Sequence, residues 1–249
     1  MNEMLGTKHM ILLAVSLICV IGGAVGARKL KLSQACKVLF YIGIVAEIIK
    51  LFYYTAANED KLGGVLPKSD LPFHLCSIQL VFISIANFTK KENIKRFLFS
   101  FMMPSCLIGG LAALLIPTDS SLNGSWIITL EYFAYHAAIM VFSLKLMTSG
   151  ELKFRISDYL NCLKMLLIMM FFAFYINSIL YDGTGSDPNF MYVSSPPQSG
   201  LPYLTEEYGW NVYIVHYMGL VLSAVTLFYI KPIVLGIKEF FTKKKKASV

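Results

Sequence analysis

Charge is what this sequence lacks most: only 15% of its 249 residues are Asp, Glu, Lys or Arg. Soluble domains carry about 25%, so a water-facing surface of ordinary composition is excluded. Cysteine is sparse and odd in number, five in all, at Cys19, Cys36, Cys76, Cys106 and Cys162. Each lies in or at the edge of an apolar run, which excludes a disulfide framework, and no Cys-x-x-Cys pair is present to clip a metal. No phosphate-binding glycine loop occurs either. The one glycine-rich piece, Gly183-Thr184-Gly185, sits among acidic residues. Internal repeats are missing, and the only low-complexity segment is Lys243-Lys244-Lys245-Lys246.

What fills the chain instead is apolar sequence, 56% of it, with a mean hydropathy of +0.62. Seven stretches have about the length that crosses a bilayer: 8–27, 36–57, 71–88, 94–116, 125–147, 159–181 and 209–230. The expectation is an all-α, seven-helix, multi-pass protein of the cell membrane, with residues 1–249 as one transmembrane domain. Between the stretches the charge alternates. One set of connections holds Arg28, Lys29, Lys31 and Lys37, then Lys90, Lys91, Lys95 and Arg96, then Lys145, Lys153 and Arg155, and finally the lysine run. The other set holds Glu59, Asp60, Asp119, Asp182, Asp187, Glu206 and Glu207. By the positive-inside rule the N-terminus is outside and the C-terminus cytoplasmic. The net charge of +7 thus reads as topology and contact with anionic lipid, not nucleic-acid binding. Ala24-Val25-Gly26-Ala27 looks faintly like a signal-peptidase site, but the basic cluster follows the first stretch instead of preceding it, so a retained helix is expected. The long outer connection, 182–208, reads as a lid or binding element.

Inside lipid an ionisable side chain costs roughly 2.5–3.5 kcal/mol on insertion scales unless it is paired or faces a cavity. The polar residues of the spans are therefore where function is to be sought. Span directions collect them in the outer half of the membrane. Glu47, Lys50 and Tyr54 stand at i, i+3 and i+7 on the second stretch and share a face. The third brings His74, Cys76 and Gln79; the fifth Glu131, Tyr132, Tyr135 and His136; the sixth Asn177; the seventh Tyr213, His216 and Tyr217. Pro104, Ser105 and the Gly109-Gly110 pair of the fourth suit close packing more than chemistry. Cys76 follows Asp70-Leu71-Pro72, so Ser69 or Asp70 is placed to cap a helix with Pro72 in its first turn. A thiol in such early turns lies near N–H groups that favour a thiolate. On a regular helix His74 points away from Cys76, leaving His136 or His216 as candidate bases, while Gln79 shares the cysteine's face.

The Leu71-Pro72-Phe73-His74-Leu75-Cys76 segment, the Tyr135-His136 pair and Asn189-Phe190-Met191-Tyr192 followed by Pro196-Pro197 resemble the YwaF-like integral membrane proteins of bacteria, related to the animal transmembrane protein 164 acyltransferases. The resemblance implies a bacterial inner-membrane protein that moves a fatty acyl group from a phospholipid to a lysophospholipid through a cysteine thioester, without coenzyme A or another cofactor. It implies Cys76 as nucleophile, His136 as base and His74 as the group that positions the head group or oxyanion. Glu47, Lys50, Tyr54, Gln79, Glu131, Asn177, Tyr192, Tyr213 and His216 are then candidates to line the lipid site. A hydrolase would use the same residues. The competing reading is a carrier or small-molecule binding protein in which Glu47, Lys50, His74, Glu131 and His136 form a relay. His74, Cys76, His136, His216 and Glu131 are ligand types that suit zinc, but no short-spaced pair anchors one, so no metal is expected.

Overall fold

In the computed structural model residues 6–57, 64, 66–118, 121–122, 124–150, 152, 154–183, 187–197, 204–205 and 207–247 are described, those of 239–241 and 243–247 by backbone alone. Glu59, Asp60, Asp119, Lys153, Thr184, Gly185 and Glu206, together with the side chains of the lysine run, lie outside that description. Among the described residues every regular element is helical: α1 (Thr7–Ala27), α2 (Leu32–Phe52), α3 (Leu75–Phe88), α4 (Glu92–Pro104), α5 (Gly110–Leu115), α6 (Trp126–Thr148), α7 (Ile156–Leu180), α8 (Trp210–Phe228) and α9 (Ile230–Ala247). A π-helical turn, Tyr53–Ala57, prolongs α2, and another, Ser105–Gly109, joins α4 to α5.

Among the described residues five helical segments are long and apolar enough to cross a membrane: Thr7–Ala27, Glu92–Leu115, Trp126–Thr148, Ile156–Leu180 and Trp210–Phe228. The protein is a multi-pass membrane protein. Its outward-facing residues fit that solvent, since Ile18, Ile21, Phe88, Phe171, Val215 and Leu227 are all more than 60% exposed. Such a belt has no place in water.

The bundle is organised around α6, which packs against α1, α2, α4 and α5. One face of α6 gives Tyr135, Ile139, Phe142 and Leu146 to the main core; the other gives Phe133, Ala137 and Met140 to a smaller core with Leu13 and Val20 of α1 and Leu114 of α5. The α4–α5 break makes this close packing possible. Pro104 cannot donate to the helical ladder, and a π-turn is a common way to absorb such a fault. Beyond it, a Cβ on Gly110 would sit 2.6 Å from Met140 Cγ and 3.3 Å from the His136 carbonyl, and one on Gly109 3.1 Å from Leu75. Gly110 thus lets this segment ride directly against α6 at His136, and Gly109 lets it lie against α3 at Leu75.

The helices depart from the expected spans in places; the second starts at Leu32, ahead of 36. The third helix starts at Leu75, not at 71, because a residue before proline is driven to extended backbone: Leu71 has φ −59°, ψ 148°. Ser69 and Asp70 therefore cap nothing; they close a 3₁₀ turn, Lys68–Asp70, and the N-cap is His74. Past the seventh stretch, where no further helix was expected, the chain continues as α9, packed on α7.

At the end of the bundle opposite His74, the Asp158 carboxylate takes a bidentate pair from Arg96 (Nε–Oδ1 2.7 Å, Nη2–Oδ2 2.8 Å) and the Arg155 N–H at 2.8 Å, capping α7 and tying it to α4. Asp158 is only 3% exposed. Asp158→Ala removes the guanidinium's carboxylate partner and the α7 cap together, so thermal unfolding in detergent should show a loss near the lower end of the ~3–5 kcal/mol typical of a broken buried pair.

Candidate functional site

The unwound approach to α3 shapes the site. His74 holds extended backbone, φ −67°, ψ 155°, and turns its ring back so that Nε2 lies 3.0 Å from the Ser69 carbonyl. A carbonyl only accepts, so Nε2 carries the proton and Nδ1 is left as an acceptor. Cys76 follows as the second residue of the helix. The His74 side chain does not cap that helix, and the early N–H groups of a helix have no intrahelical acceptor. The N–H and hydroxyl of Ser77 reach the cysteine sulfur.

Across from α3, the Tyr135 hydroxyl donates to the Cys76 carbonyl at 3.0 Å. This brings α6 level with the cysteine, although distances along ideal helices put His136 several ångströms deeper; the late start of α3 closes that gap. His136 is 3% exposed, and its Nδ1 lies 2.7 Å from the Tyr132 carbonyl. By the same argument Nδ1 bears the proton and Nε2 keeps its lone pair. Cys76 and His136 are not hydrogen-bonded to one another.

The α2 stripe completes the cluster. Lys50 grips Glu47 at 3.0 Å and 2.9 Å through the two carboxylate oxygens, and it lies within electrostatic range of Asp70, His74, Cys76 and Glu131. Glu131 in turn lies within range of His136, Glu47 and Asp70. The Tyr54 hydroxyl meets the Asp70 carboxylate. Burial pushes the Asp70 carboxyl above the ordinary aspartate range, against the Tyr54 hydrogen bond and the Lys50 charge, which favour the anion.

Over this cluster lies the segment 187–197. Asn189 folds it on itself, donating to the Ser195 carbonyl at 2.8 Å and accepting from the Ser194 N–H at 3.1 Å. Asn177 of α7 clasps Phe190 from both sides, accepting its N–H at 2.9 Å and donating to its carbonyl at 3.2 Å. From α8, Tyr213 donates to the carbonyls of Tyr192 and Ser195, Tyr217 to that of Met191 at 2.9 Å and Trp210 to that of Val193 at 2.9 Å. Phe190 is fully buried, its ring 5.4 Å from Phe73 and 4.9 Å from His74. Tyr192 stands within range of Cys76; burial, with the cysteine's charge, pushes its phenol up. Met191 and Tyr192 hold φ of 57° and 52°, left-handed values that cost non-glycine residues energy.

A family model, TMEM164, matches residues 4–229, from before α1 to just past α8. The chain belongs to the TMEM164 family. No curated protein and no solved structure matches it.

In this TMEM164-family protein the residues singled out in the sequence divide into three groups. Glu47, Lys50, Tyr54, His74, Cys76, Glu131, His136 and Tyr192 converge in one cluster. Asn177 and Tyr213 spend their polar atoms holding the 187–197 segment. Gln79 is fully buried and directs its amide N–H to the Leu75 carbonyl and the Ser105 hydroxyl, both 3.1 Å away, bracing the π-turn. His216 stays apart. The face of α8 that meets the segment runs through Trp210, Tyr213 and Tyr217, and His216, one residue off that line, is exposed. Among the described residues no group of three or more His, Cys, Asp or Glu side chains is arranged to hold a metal ion. Sequence reasoning missed Asp70, treated only as a cap, and the donor role of Trp210; the Asn-Phe-Met-Tyr motif was the available signal for Asn189.

Two outcomes follow. Asn177→Ala leaves the buried Phe190 N–H without its acceptor, so about 1–3 kcal/mol of stability should be lost, with faster proteolysis within 187–197. For Asp70, a carboxyl whose pKa is raised by folding binds its proton more tightly in the folded state. Its stabilising contribution is complete below the ordinary aspartate value and is lost as pH rises through the raised one. Asp70→Asn, permanently neutral, should therefore melt higher than the parent near pH 7 and converge with it near pH 3.5, as read by melting curves across about those values.

Proposed function

We propose that this protein is a phospholipid transacylase in which Cys76 carries the acyl group as a thioester and His136 is the base. Membership of the TMEM164 family and the membrane-spanning helices support a membrane-embedded role. The observation that carries the chemistry is the Tyr135 hydroxyl on the Cys76 carbonyl at 3.0 Å, which sets a cysteine in the first turn of α3 beside the helix that carries, at the next residue, a buried histidine whose Nε2 is unprotonated. A nucleophilic thiol needs a base and a field that favours the thiolate; Ser77, the helix N-terminus and Lys50 supply the field. The loop charges, read by the positive-inside rule, support an orientation with this end of the bundle outward, in which a glycerol ester reaches the cluster from the outer leaflet.

In the proposed cycle the two side chains close on one another and His136 Nε2 takes the thiol proton. The sulfur attacks the ester carbonyl, and the oxyanion settles on the early N–H groups of α3. The C–O bond breaks, the lysophospholipid oxygen leaves with the proton from His136, and the thioester remains. A second lysophospholipid hydroxyl, deprotonated by His136, attacks the thioester and restores the thiol. His74, whose ring proton is committed to Ser69, orients lipid through its ring and Nδ1 and does not donate to the oxyanion. Glu47, Lys50, Tyr54 and Glu131 face the lipid head group, with Tyr192 above it.

Protein in vesicles with an alkyne-tagged acyl phospholipid should acquire a hydroxylamine-sensitive tag on the Cys76 peptide. Cys76→Ala should abolish tag and turnover, and His136→Gln should slow acyl capture by about 10²–10⁴-fold. Turnover that persists in Cys76→Ala removes the covalent cycle. The Glu47–Lys50 pair with Glu131 and Asp70 also suits a carrier that needs no thiol; proteoliposome uptake surviving Cys76→Ala and lost in Glu47→Gln would favour that reading.

A further inference from the structure

The last helix, α9, belongs neither to the Cys76 cluster nor to the segment above it. Contacts between α7 and α8 show how it is set. Phe174 of α7 meets Trp210 at the start of α8, ring centroids 6.0 Å apart, and Tyr159 meets Thr226 near its end, the two hydroxyls 3.0 Å apart. The two helices therefore run antiparallel, almost residue for residue. Continued straight, α8 would bring a residue near Tyr229 to Ile156. Gly236 lies there instead, and a Cβ on it would fall 3.1 Å from Ile156 Cβ. That is about seven residues late, or some 10 Å of helix at 1.5 Å per residue. The offset begins at Tyr229, whose φ of −95° and ψ of 12° leave the helical region. So α9 does not prolong α8; it turns across the end of the bundle where Arg96 holds Asp158.

Around its axis α9 divides into rows. Pro232, Ile233 and Gly236 face the bundle, Pro232 buried and Ile233 packed on the main core. Ile230, Val234 and Ile237, at i, i+4 and i+7, share a second face and are 42–50% exposed. Lys231 and Lys238, at i and i+7, form a third row beside it, both exposed and neither paired with a carboxylate among the described residues. The first turn holds no acid. Along the whole helix one acid, Glu239, stands against six lysines, four of them in the run 243–246.

We infer that α9 lies along the membrane surface at the basic end of the bundle and binds the anionic phospholipids of that leaflet, independently of the Cys76 cluster. Ile230, Val234 and Ile237 enter the leaflet beside the bundle, and Lys231 and Lys238 meet lipid phosphates at head-group level. An apolar row bordered by lysines is how interfacial helices are built. The two rows together select the occupant. An acidic protein would answer the lysines and leave the apolar row in water, while lipid without net charge would cover the apolar row and give the lysines little attraction.

Amide hydrogen exchange of the full-length protein in lipid nanodiscs tests this surface. When phosphatidylglycerol replaces half of the phosphatidylcholine, peptides from 230–242 should exchange at least about fivefold more slowly, the effect of one lysine at an anionic surface, with peptides of α6 unchanged. In 1 M salt, where charges are screened within ~3 Å, the difference should vanish. Lys231→Gln with Lys238→Gln should at least halve it, and Val234→Gln with Ile237→Gln should speed exchange of α9 in both discs. Equal exchange in the two discs at low salt, a difference that survives 1 M salt or the lysine substitutions, or exchange unmoved by Val234→Gln with Ile237→Gln would each overturn the assignment. Protection that follows the number of copies per disc and not the lipid charge would give the apolar row to a second copy of the chain, and would overturn it too. The readout involves no acyl transfer, so its outcome is separate from that of the Cys76 test.

Discussion

Every polar group withdrawn from water in this protein must find its partner inside the chain, because hydrocarbon offers none. That constraint organises the site end of the bundle. The approach to α3 is broken at Pro72, so His74 turns back to Ser69, Tyr135 takes the Cys76 carbonyl, and the Ser77 N–H reaches the thiol. The break at Pro104 is met in the same way, with Ser105 bonded to Phe101 and Gln79 bonded to Ser105. Neither fault is a weakness of packing. Beyond the second fault Gly110 brings backbone against the carbonyl of His136 on α6, and Gly109 lies against Leu75 of α3.

Hydrogen bonds also set the chemistry available to the two histidines. Both rings give one nitrogen to a backbone carbonyl, but opposite nitrogens: Nε2 for His74 and Nδ1 for His136. One ring is thereby anchored at its far end and the other at its near end, so His136 presents a far-reaching lone pair while His74 serves as a wall beneath Phe190. Two residues of the same type, in one cluster, are divided into different roles by the carbonyls beside them.

Much of this was legible in the chain. Hydropathy located the helices, and the polar stripe Glu47–Lys50–Tyr54 followed from helical period alone, as did the need for small residues at Gly109 and Gly110. The failures have physical causes. Periodicity treats a helix as regular, so it carried the third helix through Leu71, which proline forces into extended backbone. It joined His216 to Tyr213 and Tyr217, because three-residue spacing does not say which side of α8 faces the bundle. It did not foresee that Asn177 and Tyr213 would hold the 187–197 segment, because nothing local reveals that the backbone of a distant segment will claim them. Asp70 joins the cluster through a chain reversal that no spacing encodes.

The paired left-handed residues Met191 and Tyr192 give the segment above Cys76 a mechanical character. Each such residue costs about 1–3 kcal/mol, and the cost is borne only while side chains of α7 and α8 hold the carbonyls around it. Torsion wound into two adjacent residues relaxes as a unit once the clasps let go. The cover over the thiol therefore has the build of a snap fastening, shut or sprung, and in the proposed transacylase cycle the exchange of lipids beneath it follows how often it springs.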